Sequence, residues 1–260
     1  MPPLKIPMPY PKKLIEAAYR QRSLVTWTED EAGPFQTVPC PGRRWRPSGD
    51  PARYPHEYVR NGTAKQLTLF RPATGEVRVK GVLRSTNAIL HPWLKAELED
   101  ILATMPEPDA KLDATENRRQ WQRWQQGLSA PFGLPESLPP LRMLLVLDNL
   151  QGHHTPSLVL WMLEHGIMPI YTPIGGSWLN MTESVQAVLK GRAFGADAAE
   201  SPEQIIDWIE ATARGWNRDP TPFVWDGKRR LRRRNQRNPS YRLGKSGAAT
   251  NRVIKRRMAA

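Results

Sequence analysis

The stretch that most constrains this chain is Arg142-Met143-Leu144-Leu145-Val146-Leu147, an apolar run behind a single arginine that stops at Asp148. A strand with apolar side chains on both faces must be covered on both faces. Thr155-Pro156 then supplies a helix cap followed by proline at the first helical position, opening a helix that runs to about His165 and closes at Gly166. Ile167 to Tyr171 reads as a second short strand. Strand, helix and strand at this length make a βαβ unit whose two strands are parallel. The chain is thereby committed to a layered α/β sheet.

The flanking segments extend that sheet. Pro11 to Gln21 reads as a short helix, and Ser23 to Thr28, rich in β-branched and aromatic residues, as a strand running into Glu29-Asp30-Glu31. Ala32 to Tyr54 holds many Pro, Gly and Arg residues and is expected to be a long surface loop. Gln66 to Phe70 and Glu76 to Leu83 alternate and form a hairpin around Arg71–Gly75. Leu94, Leu98, Ile101, Leu102 and Met105 recur at helical spacing in a helix expected over Pro92 to Met105. Asp113 to Gly127 is polar with two tryptophans; its Arg/Trp mixture suits either packing onto the body or stacking on bases. Past Thr172–Ser177, a helix is expected over Leu179 to Arg192 with Val185, Val188 and Leu189 inward. A last helix begins with Ser201-Pro202-Glu203-Gln204 and buries Ile205, Ile209 and Trp216. Three strands able to form an antiparallel meander, then helix, strand, helix, strand and helix, give the order of a ribonuclease H-like α/β fold: a mixed sheet with parallel strands after the meander and flanking helices.

Charge separates the chain into a body and a tail. Lys228 to Arg257 holds 13 of the 38 basic residues and no acid, leaving 25 basic against 25 acidic residues elsewhere. A block of this kind favours a polyanion, and counterion release makes nucleic-acid binding strong and salt-sensitive. No run of 18 apolar residues and no signal-peptide stretch occurs, so a soluble, intracellular protein without membrane association is expected. The lone cysteine, Cys40, can form no internal disulfide, and no Cys/His cluster has zinc spacing. The expected organisation is an N-terminal helix and linker over 1–22, a catalytic domain over 23–226 with a loop at 32–54 and an insertion at 109–135, and a basic, disordered tail over 227–260.

Asp30 and Asp148 follow expected strands and Glu183 lies early in an expected helix, places from which side chains converge on a cleft. Singly, such acids often cap turns or sit solvated. Together, three convergent carboxylates repel one another unless cations neutralise them, and oxygen donors of this kind suit Mg²⁺ or Mn²⁺. Two such ions ~3.5–4 Å apart suit in-line displacement at phosphorus.

Thr28-Glu29-Asp30-Glu31-Ala32-Gly33-Pro34, then Leu147-Asp148-Asn149 with His153, then Ser177-Trp178-Leu179-Asn180-Met181-Thr182-Glu183 resemble the three catalytic blocks of DDE transposases of bacterial insertion sequences related to the mariner superfamily. The 34 residues between Asp148 and Glu183 match that superfamily's spacing. Trp216-Asn217 and Pro222-Phe223-Val224-Trp225 resemble its C-terminal pattern, so the likeness runs over about 20–226. The resemblance implies that Asp30, Asp148 and Glu183 hold two Mg²⁺ or Mn²⁺ ions, with Glu31 the alternative to Asp30. It implies hydrolysis at transposon ends followed by attack of the freed 3′-hydroxyl on target DNA, by a homodimer on DNA in a bacterial, nucleoid-associated setting. Asn149 is expected to orient its neighbours. His153 either contacts a phosphate, assists proton transfer or is a hydrogen-bonded structural histidine, and Asn180 is expected to cap the Glu183 helix. DNA contacts are expected from Arg43, Arg44 and Arg46, from Lys190 and Arg192, and from Arg229, Arg230, Arg232, Arg233 and Arg234, each of which can also be a solvated charge. Relatives carry an N-terminal helix-turn-helix that binds transposon ends. The residues before Ser23 are too few for one, so either a separate chain supplies it or this is a truncated copy. Two other functions fit the same sequence: a ribonuclease H-like nuclease without strand transfer, and a nonenzymatic nucleic-acid-binding remnant or domesticated copy.

Overall fold

The sheet is built around the buried run that closes at Asp148. In the computed structural model, which describes residues 24–38, 48–50, 57, 60–107, 113–125, 132–194, 198–223, 241–242 and 249–250, β4 (Met143–Leu147) is buried along its whole length. It pairs in parallel with β5 (Ile167–Tyr171) on one side and with β1 (Val25–Gln36) on the other. β2 (Thr63–Phe70) and β3 (Val77–Val82) complete an antiparallel meander with β1, and the five-stranded order is β3-β2-β1-β4-β5. This is the ribonuclease H-like topology expected from the element order.

Helices cover both faces. α1 (Asn87–Thr104) and α3 (Pro156–Glu164) lie over one core, where Trp27, Leu67, Leu69, Leu94, Leu98, Met143, Leu145, Leu158 and Met162 interlock. α4 (Thr182–Phe194) packs against β1 and β2, and α5 (Pro202–Trp216) against β2, β3 and α4. α2 (Ala114–Gln125) carries Trp121 at 0% and Trp124 at 5% exposure, with Trp121 Nε1 donating to the Pro139 carbonyl at 3.0 Å. Its tryptophans therefore pack onto the body and present no ring for bases to stack on. Among the described residues no helix is long and apolar enough to cross a membrane.

Several boundaries differ from expectation. β1 does not end before Asp30 but runs on to Gln36, with a register shift between Ala32 and Phe35 where Gly33 adopts a φ of 118°. The Gly-Pro signal marks an irregularity within a paired strand, because β2 supplies the hydrogen-bonding edge that the local sequence does not reveal. α1 starts at Asn87, and Pro92 lies inside it, where the proline nitrogen cannot donate to the Ala88 carbonyl one turn back. A 3-10 turn, Gln151–His154, precedes α3, and another, Ser177–Leu179, precedes α4. Val188 is 40% exposed, on the outer side of α4. The Ser201 cap is formed as expected, its hydroxyl accepting from Gln204 N at 3.2 Å. The C-terminal Trp-Asn pair pins the β2–β3 hairpin: Trp216 Nε1 donates to Gly75 O, and the Asn217 amide bonds both N–H and C=O of Val77.

The chain divides into two compact units, Met1–Phe223 and Val224–Ala260. In the second, β6 (Tyr241–Arg242) pairs antiparallel with β7 (Ala249–Thr250). The expected helix at Pro11–Gln21 and arginines 229, 230, 232, 233 and 234 lie outside the described residues, as do arginines 43, 44 and 46.

Candidate active site

β1 and β4 are parallel neighbours with Thr28 opposite Val146, so the same register continued by two residues sets Asp148 beside Asp30. Alternation along β1 divides its acids between two faces. Trp27 belongs to the core under α1 and α3, and Glu29 and Glu31 follow it on that side. Thr28 and Asp30 face α4.

Three contacts, two of them fully buried, sew the start of α4 to β1. Thr182 Oγ1 lies 2.5 Å from Thr28 Oγ1, Asn180 Nδ2 donates to Glu29 O at 2.7 Å, and Gln186 Nε2 donates to Asp30 O at 3.1 Å. Asn180 Oδ1 also accepts from N of Thr182, the first residue of α4, at 3.2 Å. Glu183, in the first helical turn and exposed, is thus held next to Asp30. The electrostatics register this convergence. Burial, then the charges of Glu29 and Asp148, with a smaller contribution from Glu183, push the Asp30 carboxyl up to about 8 against one opposing hydrogen bond from Glu31 N.

Asp148 responds in the opposite direction. Its Oδ1 takes a hydrogen bond at 2.8 Å from Nδ1 of His153 and a second from Leu150 N, and the His153 bond holds it below the usual carboxylate range. His153 is fully buried behind Asp148. Its Nε2 lies 2.9 Å from Oε2 of Glu29. Burial would lower the imidazolium, but Asp148 and Glu29 outweigh it and raise the group to about 10. Burial followed by Glu29 pushes Glu31 up to about 7. Glu31 thus belongs with Glu29 and His153, on the face away from α4, and Asp30 occupies the position toward Glu183. Asn149 is exposed, and its Nδ2 donates to Thr172 O, tying the loop after β4 to the one after β5.

Lys190 and Arg192 are exposed on α4, with Lys190 Nζ 5.7 Å above the Phe35 ring and the Arg192 guanidinium 5.0 Å above Trp216. Glu29 and Gln186 are the residues sequence reasoning missed. Period-two alternation from Trp27 was the signal for the first; nothing local marks the second, whose partner is 156 residues away.

A comparison with curated proteins returns no match. Among solved structures, the chain is similar to a chain of the simian T-cell lymphotropic virus intasome in complex with PP2A regulatory subunit B56 gamma (10% identity, TM-score 0.40), covering 74% of this chain and 47% of that one. It is similar to the catalytic core domain of BIV integrase (8% identity, TM-score 0.39; 84% of this chain, 99% of that one). It is also similar to a chain of the pre-cleavage Mos1 transpososome (14% identity, TM-score 0.33; 82% of this chain, 61% of that one). The chain thus spans about half the length of the first of these and three-fifths of the third. The family model described as DDE superfamily endonuclease matches residues 25–206, a span that begins at β1 and takes in all three acids. The chain belongs to the DDE superfamily endonuclease family.

Proposed function

We propose that the chain is the catalytic domain of a DNA transposase, with Asp30, Asp148 and Glu183 as the ligands of two Mg²⁺ or Mn²⁺ ions. The observation that carries this reading is the stitching of the start of α4 onto β1 around Asp30, which draws Glu183 toward Asp30, while Asp148 follows the end of the neighbouring parallel strand. The three carboxylates fit hard divalent cations: they offer only oxygen donors, and Asp30 carries an electrostatic cost that a cation would relieve. When bound, such ions supply Lewis-acid assistance to displacement at phosphorus.

The chain's own residues prepare that chemistry. The His153 hydrogen bond keeps Asp148 ionised and fixes its orientation. Asn180 and Gln186 hold the α4 start against β1, so the third ligand is set by backbone geometry. In the reaction, water displaces the 3′ oxygen of a phosphodiester at the transposon end, and the freed 3′-hydroxyl then displaces a second 3′ oxygen in target DNA, without a covalent protein intermediate. Lys190 and Arg192 on α4, arginines 43, 44 and 46, and the basic tail from 227 onward are the proposed DNA contacts. The domain itself is assigned to residues 23–226, and a homodimer on DNA is the proposed working form.

The test is Mn²⁺-dependent nicking of supercoiled plasmid and joining of a labelled 3′-hydroxyl oligonucleotide, comparing wild type with Asp148→Ala. Nicking and joining that both fall by at least about 100-fold in the variant, with DNA affinity kept, support the transposase. Nicking without joining reduces the function to a nuclease, and equal DNA binding without reaction in either protein leaves a binding remnant.

A further inference from the structure

The face of β1 turned away from α4 holds a second cluster that the DDE triad does not use. Glu29 is fully buried. A buried carboxylate is costly unless hydrogen-bonded or paired; among the described residues Glu29 has an ion pair with His153 alone and no hydrogen bond to either oxygen, and neither Oε1 of Glu31 nor Nε2 of His153 is hydrogen-bonded. Glu29 Oε2 and His153 Nε2 approach to 2.9 Å without hydrogen-bond geometry, and one oxygen from each glutamate with a ring nitrogen of His153 all lie within 4.8 Å of one another.

That combination is what ligands converging on one ion look like. With metal–ligand bonds of about 2.0–2.2 Å, adjacent donors sit roughly 2.9–3.6 Å apart, which includes the Glu29–His153 separation. The other ring nitrogen, Nδ1, is committed to Asp148 at 2.8 Å, the carboxylate–histidine arrangement that fixes the tautomer and orientation of a metal-bound imidazole. Charge argues the same way. Glu29, Glu31 and Asp148 crowd one histidine, and the ammonium of Lys65, whose charge reaches Glu31, donates to Ser85 Oγ at 3.0 Å. A divalent ion in place of the Nε2 proton adds the positive charge the cluster lacks.

We propose that Glu29, Glu31 and His153 form a separate binding site for one divalent transition-metal ion, such as Zn²⁺, on the face of β1 opposite Asp30. The imidazole donor selects a transition metal over Mg²⁺. The ion locks the His153 ring, and through it the Asp148 carboxylate, from behind. The site stands independently of the transposase reading, because none of its three ligands belongs to the proposed catalytic triad.

The experiment is Zn²⁺ titration of the full chain by calorimetry, with X-ray absorption at one equivalent of Zn²⁺. The Asp30→Asn/Glu183→Gln variant, stripped of two triad ligands, is expected to retain one Zn²⁺, and adding Glu29→Gln to weaken that binding by at least about tenfold. The absorption spectrum of wild type is expected to contain imidazole scattering from one histidine, a readout that needs no substitution to fold. Loss of all Zn²⁺ binding in the double variant, unchanged affinity after Glu29→Gln, or a spectrum of oxygen donors alone would each overturn the site. Failure of plasmid nicking would leave it untouched and would count against the transposase only.

Discussion

Replacing Asn180 by alanine removes two buried hydrogen bonds at once, from a side chain only 2% exposed. One is the cap to Thr182 N at 3.2 Å, and the other is the donation to Glu29 O at 2.7 Å. Loss of a helix cap costs about 1 kcal/mol. An acceptor left buried without its partner costs about 1–3 kcal/mol, and the lower half of that range applies because β1 is an interior strand with ladder partners on both sides. The sum is about 2–3 kcal/mol, or a fall in melting temperature of roughly 5–10 °C for a body of this size. Asn180→Ser keeps a capping oxygen and is expected to recover about 1 kcal/mol of it. The assay is urea unfolding followed by tryptophan fluorescence, with Mn²⁺ titration of the folded variants, whose affinity is expected to fall as Glu183 loses its anchor. A loss below about 0.5 kcal/mol for alanine, or full stability with unchanged Mn²⁺ affinity, would refute the argument that Asn180 sets the catalytic helix onto β1.

Gly75 has a φ of 86°, and a Cβ there would meet the Thr221 backbone at 2.4 Å. Gly75→Ala is therefore expected to cost more than about 2 kcal/mol in urea unfolding; a neutral substitution would show that the hairpin and the segment after α5 are not in register as described. Trp121→Ala is expected to cost about 3–5 kcal/mol while leaving salt-dependent DNA affinity unchanged. A loss of DNA binding with stability intact, measured by fluorescence anisotropy, would restore the base-stacking role that burial of the ring excludes.

What the sequence by itself determined is whatever short-range physics encodes. The apolar run before Asp148 dictates a buried strand. Pro156 and Gly166 bracket a helix, and Ser201 forms its cap because hydroxyl and N–H lie three residues apart. From these, the βαβ unit and the position of Asp148 at a strand end were legible, and the meander followed from alternation in β2 and β3. What tertiary structure alone decided involves partners far along the chain. Glu29-Asp30-Glu31-Ala32-Gly33-Pro34 reads locally as the end of a strand and the start of a loop, yet it lies inside β1 because β2 and the α4 start hold it there. The burial of Glu29 depends on the turn that brings His153 beneath it, 124 residues later in the chain. A carboxylate's solvation and pKa are set by whatever surrounds it in space. That is why the sequence could present four acids and a histidine as candidates, while only the fold could sort Asp30 toward Glu183, and Glu31 with the unforeseen Glu29 toward His153.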